Sequence, residues 1–228
     1  MIPREHIASA AVPDGEELRL YRHGRDFIIA LDRNELMNTR MSGSEEALAA
    51  MTIARLGERS GKRQPPQLLI GGYGMGFTLR AALAVLGKDA SVTVAELVPQ
   101  IIEWARGPMV DVTAGCLDDS RVTLVLEDVA EMIAGAAAAY DAILLDVDNG
   151  PDGLIRRVNN RLYTRRGLQL AMAALAPGGV LAVWSAAPDP AFTKELRTAG
   201  FGVDEVSVRA RSNGKGARHV IWFAQKAG

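Results

Sequence analysis

From Gln67 onward, short apolar runs alternate five times with helix-like segments, and this period constrains the chain more than any other feature. "QLLIG" precedes "FTLRAALAVLG", "VTVAE" precedes "PQIIEWAR", and "VTLVLED" precedes "VAEMIAGAAAA". "YDAILLDVD" leads through a loop to "RRGLQLAMAAL", and "GGVLAVWSA" leads to "DPAFTKELRTAG". Unbroken apolar runs suit strands buried on both faces, so the pattern predicts a parallel sheet covered by helices. A last pair, "VDEVSVRAR" and "RHVIWFAQK", is joined by the glycine-containing "SNGKGA". That connection predicts a hairpin, and hence an antiparallel last strand. The expectation is an α/β fold with a seven-stranded, mostly parallel sheet.

The N-terminal residues follow a different rule. "ELRLYRHGRDFIIALDRNELMNT" alternates apolar and polar residues around two turn signals, which predicts a β-hairpin or three-stranded meander within residues 1–42. "SGSEEALAAMTIARLGE" then reads as a helix capped by Ser44. "RSGKRQPP" (59–66) is a polar, proline-ended link. Residues 43–228 are therefore expected to form the larger domain, with 43–66 as its leading helix and link.

Composition narrows the ligand class. A net charge of −1 over 228 residues offers no footprint for nucleic acid or an anionic membrane. No apolar run approaches the roughly 20 residues of a membrane span. The single cysteine, Cys116, excludes an internal disulfide framework and fits a reducing, cytoplasmic setting. His6, His23 and His219 are scattered, which argues against a metal site. A small molecule is the expected partner.

The turn "LLIGGYGMGFTLR" (68–80) is where such a ligand would sit. Ligands of open parallel sheets lie beyond the carboxyl ends of the strands, and Gly72, Gly74 and Gly76 let backbone approach them. The helix that follows offers unpaired N–H groups. Glu96 ends the next strand, about 20 residues later, where an acid can accept both ribose hydroxyls. The spacing is not the G-x-G-x-x-G of dinucleotide enzymes, so a nucleoside is favoured over NAD. Asp128 closes the third strand and suits an adenine amino group, a helix cap, or both. Asp146 ends the fourth strand at the mouth of the sheet, followed by Asp148 and Asp152 in a loop. Carboxylates there can attract a cation or take a proton from an attacking amine, although solvation would also explain the two loop acids.

These motifs resemble the spermidine synthase (polyamine aminopropyltransferase) family, which uses the Rossmann-like fold of class I S-adenosylmethionine-dependent methyltransferases. Gly71 and Gly72, after "LLI", look like that family's "IGGGDG" turn, and Ile70 stands where ordinary methyltransferases carry an acid. The resemblance implies donor contacts at Gly71, Gly72, Tyr73, Gly74, Gly76, Glu96 and Asp128. It implies Asp146 as the base, and Glu46, Asp148, Asp152 and Tyr163 as substrate contacts. It also implies decarboxylated S-adenosylmethionine or S-adenosylmethionine as co-substrate, no metal, and an amine acceptor. The N-terminal strands are expected either to join a second subunit in a homodimer or to form an intrachain lid.

The departures matter as much. "GGGDGG" becomes "GGYGMG", so the aspartate that would hold the donor's aminopropyl ammonium is Gly74, and Tyr73 adds an aromatic wall. D-x-x-D-P becomes "DVDNG", with Asn149 at the second acidic position. Q-x-T and Y-x-E read "MNT" and "SEE", so Met37 and Ser44 are substitutions while Glu46 survives. An aminopropyl transferase is the expectation. A methyltransferase and a non-catalytic nucleoside-binding homologue are the alternatives.

Overall fold

The structure, a computed structural model, describes residues 3–12, 17–31, 34–57, 65–147 and 160–228. Most of the proline-ended link, and the loop acids Asp148 and Asp152, lie outside the described residues.

Four antiparallel strands open the chain: β1 (Glu5–Ala11), β2 (Glu17–His23), β3 (Asp26–Leu31) and β4 (Asn34–Asn38), paired in chain order. The alternation of "ELRLYRH" buries Leu18 and Leu20 on one side of β2. The first strand exceeds the expected meander. Its Ala8-Ser9-Ala10-Ala11 run has little intrinsic strand preference, and pairing with β2 imposes the conformation.

Helix α1 (Gly43–Gly57) follows. It starts at Gly43, with the Glu46 amide bonded to the Ser42 carbonyl, so Ser44 lies inside the first turn and is not the cap. Its hydroxyl is fully buried and committed elsewhere. Leu48, Ala49, Thr52 and Leu56 form the buried stripe that packs α1 on the second sheet.

That sheet contains β5 (Gln67–Gly71), β6 (Ser91–Ala95), β7 (Val122–Val125), β8 (Tyr140–Leu145), β9 (Leu175–Ser185), β10 (Gly202–Arg209) and β11 (Arg218–Gln225). Its spatial order is β10-β11-β9-β8-β5-β6-β7, and β11 runs antiparallel to both neighbours. The seven strands and the antiparallel last one match the expectation. The connecting helices are α2 (Phe77–Val85), α3 (Pro99–Arg106), α4 (Val110–Thr113), α5 (Val129–Ala134), α6 (Asn160–Tyr163), α7 (Arg165–Ala174) and α8 (Pro190–Thr198). A short 3-10 turn spans Cys116–Asp118.

Two cores flank the sheet, and successive side chains of one strand feed them in turn. Leu68 and Ile70 join the core that contains α1, α2, α3 and the N-terminal sheet. Leu69 joins the other, against residues of α5, α7 and α8. This double burial is why the strands read as unbroken apolar runs. Strand order reverses at β5: the chain first builds outward through β6 and β7, then returns to place β8 on the other side. The ends of β5 and β8 therefore border the crevice where ligands of such sheets bind. Among the described residues, no helix is long and apolar enough to cross a membrane.

Candidate active site

The glycine turn is tied to the neighbouring strand ends first by backbone. The Gly72 amide donates to the Ala95 carbonyl at 2.9 Å, and the Asp146 amide donates to the Gly71 carbonyl at 3.0 Å. Gly72 has φ +85, and a Cβ there would lie 2.4 Å from the Asp146 carbonyl oxygen. No side chain fits at this position, which keeps β5 and β8 close.

Glu96 is buried beside this turn. One carboxylate oxygen accepts the Tyr73 amide at 3.0 Å and the other accepts the Val98 amide at 2.8 Å. Burial pushes the carboxyl up, while the amides of Val98, Tyr73, Gly74 and Leu97 pull it down again. Each oxygen can accept more than one donor, so the group can still receive a vicinal diol.

The cavity over this turn is lined by Gly72, Gly74, Glu96, Asp128 and Asp146. Residues of the N-terminal sheet, among them Leu18, Ile29 and Leu31, close its other side. Within one chain these strands thus form a wall of the cavity. Asp128 caps α5 by accepting the Ala130 amide at 2.8 Å, and its second oxygen pairs with Arg161 at 2.6 Å. It therefore both caps a helix and lines the cavity.

A second cavity adjoins the first, and Met37, Gly74, Asp146 and Val147 border both. It also has Glu45, Tyr73 and Trp184 in its wall. A Cβ at Gly74 would meet the Met37 sulfur at 3.0 Å, so the methionine lies over the place a side chain would take. The Tyr73 hydroxyl lies 3.4 Å from the Cys116 sulfur, and burial raises the phenol's pKa. The same ring packs under Gly76, where a Cβ would come 2.8 Å from the hydroxyl.

Asp146 accepts the Thr78 hydroxyl at 2.8 Å. Burial raises its carboxyl to about 6, against the lowering effect of that bond. Glu45 is raised to about 8, first by burial and then by the charge of Asp146. Ser44 donates to Glu45 at 2.6 Å, and its oxygen lies 2.9 Å from His219 Nδ1. Two acids thus face one small, otherwise apolar cavity, an arrangement that favours a cation.

Gly72, Gly74, Glu96, Asp128 and Asp146 lie around the first cavity and Tyr73 around the second, while Gly71 and Gly76 belong to the same turn and line neither. Two other expected contacts lie elsewhere. Glu46 lines neither cavity; its neighbour Glu45 does, because adjacent helical residues point about 100° apart and only one can face the same wall. Tyr163 is buried in the core on the other side of the sheet, edge-to-face with Phe192 at 5.6 Å between ring centres. Thr78, Glu45 and Trp184 were not singled out by sequence reasoning. The doublet "SEE" carried the only signal, and it could not say which acid faces inward.

A sequence model of the family described as spermine/spermidine synthase domain matches residues 47–198. The chain belongs to this family. Among similar proteins is the polyamine aminopropyltransferase of Mycobacterium tuberculosis (strain H37Rv), 36% identical over 156 residues. That match covers 64% of this chain and 29% of the relative. Polyamine aminopropyltransferase 2 of Pseudomonas aeruginosa is 34% identical over 124 residues, covering 53% of this chain and 33% of the relative. The chain therefore spans about a third or less of the length of these relatives. The crystal structure of spermidine synthase from Thermotoga maritima superposes with a TM-score of 0.76 at 21% identity, over 98% of this chain and 73% of that one. A spermidine synthase complexed with the transition state analogue AdoDATO gives 0.75 at 21% identity, with the same coverage. These two superpositions establish a shared fold with the spermine/spermidine synthase family.

Proposed function

We propose that this chain transfers an aminopropyl group from decarboxylated S-adenosylmethionine to an amine. The observation that carries this reading is Asp146, the carboxylate shared by the two adjoining cavities. Glu96 suits the ribose, held by amides that fix its carboxylate in place. Gly72 and Gly74 contribute backbone to the wall of the first cavity, and Asp128 borders it where adenine would lie. The acidic second cavity suits the aminopropyl chain and the acceptor. Asp148 and Asp152, just beyond β8, are added as substrate contacts on their sequence position.

The donor supplies a sulfonium leaving group. The acceptor nitrogen forms a bond to the carbon next to sulfur, and the C–S bond breaks with its electron pair on sulfur. Neutral methylthioadenosine departs, and the new ammonium gives its extra proton to Asp146. A carboxyl titrating near 6 is mostly ionised at neutral pH and still basic enough to assist. The resemblance of the family supports a homodimer, and the single cysteine supports a cytoplasmic setting.

The test is direct. Purified protein is titrated with methylthioadenosine, S-adenosylmethionine and its decarboxylated form, and then assayed for methylthioadenosine release with a diamine. Tighter binding of the decarboxylated donor and diamine-dependent release are expected. Preference for S-adenosylmethionine with methyl transfer would move the chain to the methyltransferase reading. Failure to bind any of the three would leave neither enzyme reading standing.

A further inference from the structure

The second cavity contains an acid that the glycine turn lacks. Its wall is formed by Leu36 and Met37 from the N-terminal sheet, by the turn residues Tyr73 and Gly74, and by Trp184. Among the described residues, Glu45 from α1 and Asp146, just after β8, are the carboxylates of this wall. Gly74 cannot reach a ligand with a side chain, and Met37 offers only a thioether. Asp146 is occupied by Thr78 and stands at the junction with the first cavity. Glu45 therefore remains as the second acid of this wall. Its position is braced, because Ser44 donates to one oxygen and is itself seated against His219. Trp184, 8% exposed, closes the remaining side of this wall.

We infer that Glu45 is the specificity-determining residue of the second cavity: it pairs with a primary ammonium on the chain next to the sulfonium and rejects a tail that carries a carboxylate. The inference rests on the aminopropyl reading above. A carboxylate brought beside Glu45 and Asp146 would meet the charge of Asp146 and oppose ionisation of Glu45 in a poorly solvated space, whereas an ammonium favours the ionised Glu45 and pairs with it.

The experiment compares wild type, Glu45→Gln and Glu46→Gln by calorimetric titration with three ligands. These are methylthioadenosine, decarboxylated S-adenosylmethionine and S-adenosylmethionine. Glu45→Gln should weaken the decarboxylated donor by about tenfold or more and shift methylthioadenosine by less than about twofold. The preference over S-adenosylmethionine should fall by a similar factor. Glu46→Gln removes the same charge from the same helix turn and should behave as wild type. A wild-type ratio in Glu45→Gln, or an equal loss in Glu46→Gln, overturns the inference.

A second measurement uses wild-type protein alone, in case the variant does not fold. The groups facing Glu45 are Asp146, Ser44 with His219 behind it, and the neighbouring Glu46. At neutral pH the Glu45 carboxyl is largely protonated, so pairing with an ammonium should release a proton. Titration in buffers of different ionisation enthalpy should show release with the decarboxylated donor and none with methylthioadenosine. Equal proton exchange for both overturns the inference while leaving the adenosyl site intact. If methylthioadenosine itself does not bind, the aminopropyl reading falls and this inference falls with it.

Discussion

The two adjoining cavities share side chains of the N-terminal sheet as one wall and differ in the wall that faces it. The one proposed for the nucleoside is made at strand ends, where backbone amides of Tyr73 and Val98 grip Glu96 and a bare Gly72 sits against the Asp146 carbonyl. The second is made of side chains from separate elements: Glu45 of α1, Met37 of β4, Trp184 of β9 and Asp146 after β8. A backbone-built pocket changes only when the fold changes. A pocket built of side chains can alter its chemistry by single substitutions, and this one has a glycine and a methionine where the resemblance implies an acid and a glutamine. The contrast puts the strand-end wall of the first cavity under the control of the fold, and the facing wall of the second under a few exchangeable groups.

The largest expected effect tests the backbone-built half. Gly72→Ala must place a methyl 2.4 Å from the Asp146 carbonyl at a positive φ. We expect a loss of about 3 kcal/mol or more in stability, with methylthioadenosine binding abolished. A variant that melts and binds like wild type would show that β5 and β8 are not held as described.

Next comes Asp146→Asn, which separates chemistry from binding. Turnover with a diamine should fall by about 10²–10⁴-fold, while methylthioadenosine affinity changes little. Full turnover would remove Asp146 from the role of base. Glu96→Gln should instead weaken methylthioadenosine and both sulfonium donors alike. The expected loss is about 2 kcal/mol, roughly 30-fold, since a neutral amide cannot accept both backbone donors and the ribose. A loss confined to one donor would place Glu96 in the wrong cavity.

The side-chain half is tested by pH. Glu45 and Asp146 are raised to about 8 and about 6, chiefly by burial, and burial also raises Glu96. The native state therefore keeps protons that the unfolded chain has already released. Their contribution to stability is complete below about pH 4 and fades as pH rises through about 6 and then about 8. The ligand-free protein should lose a few degrees of melting temperature between about pH 5 and pH 8. A steady gain over that range would mean that these carboxyls are better solvated or paired than the structure shows. The smallest effect is expected for Arg161→Ala. Its pairing with Asp128 is at the surface, with the arginine 44% exposed, so stability should change by about 0.5 kcal/mol at most. Methylthioadenosine affinity should move by less than about threefold, since Asp128 keeps its cap on α5.

Much of the backbone-built half is legible in the sequence because it depends on local order. A strand, a glycine turn and a helix must occur in sequence, and the length of one βα unit fixes how far on the next strand-end acid appears. Gly72 and Glu96 could therefore be named before any contact was known. Strand alternation likewise exposes the meander, although β1 escapes because its small residues carry little strand preference.

The other half depends on facts that no local pattern contains. "SEE" offers two acids, and only the packing of the Leu48-Ala49-Thr52 stripe against the sheet turns Glu45, rather than Glu46, to the cavity. Tyr163 follows the loop in the order a substrate contact would, yet its ring is drawn into the core beside Phe192, where burial of an aromatic surface is favourable. The sequence alone determined the parallel sheet, its antiparallel end and the glycine turn with its acidic partner, because period and spacing are properties of neighbours along the chain. Tertiary structure alone decided that Glu45, Asp146 and Trp184 share one cavity. They come from positions far apart in sequence, and only the packing of helix on sheet sets the direction in which each side chain points.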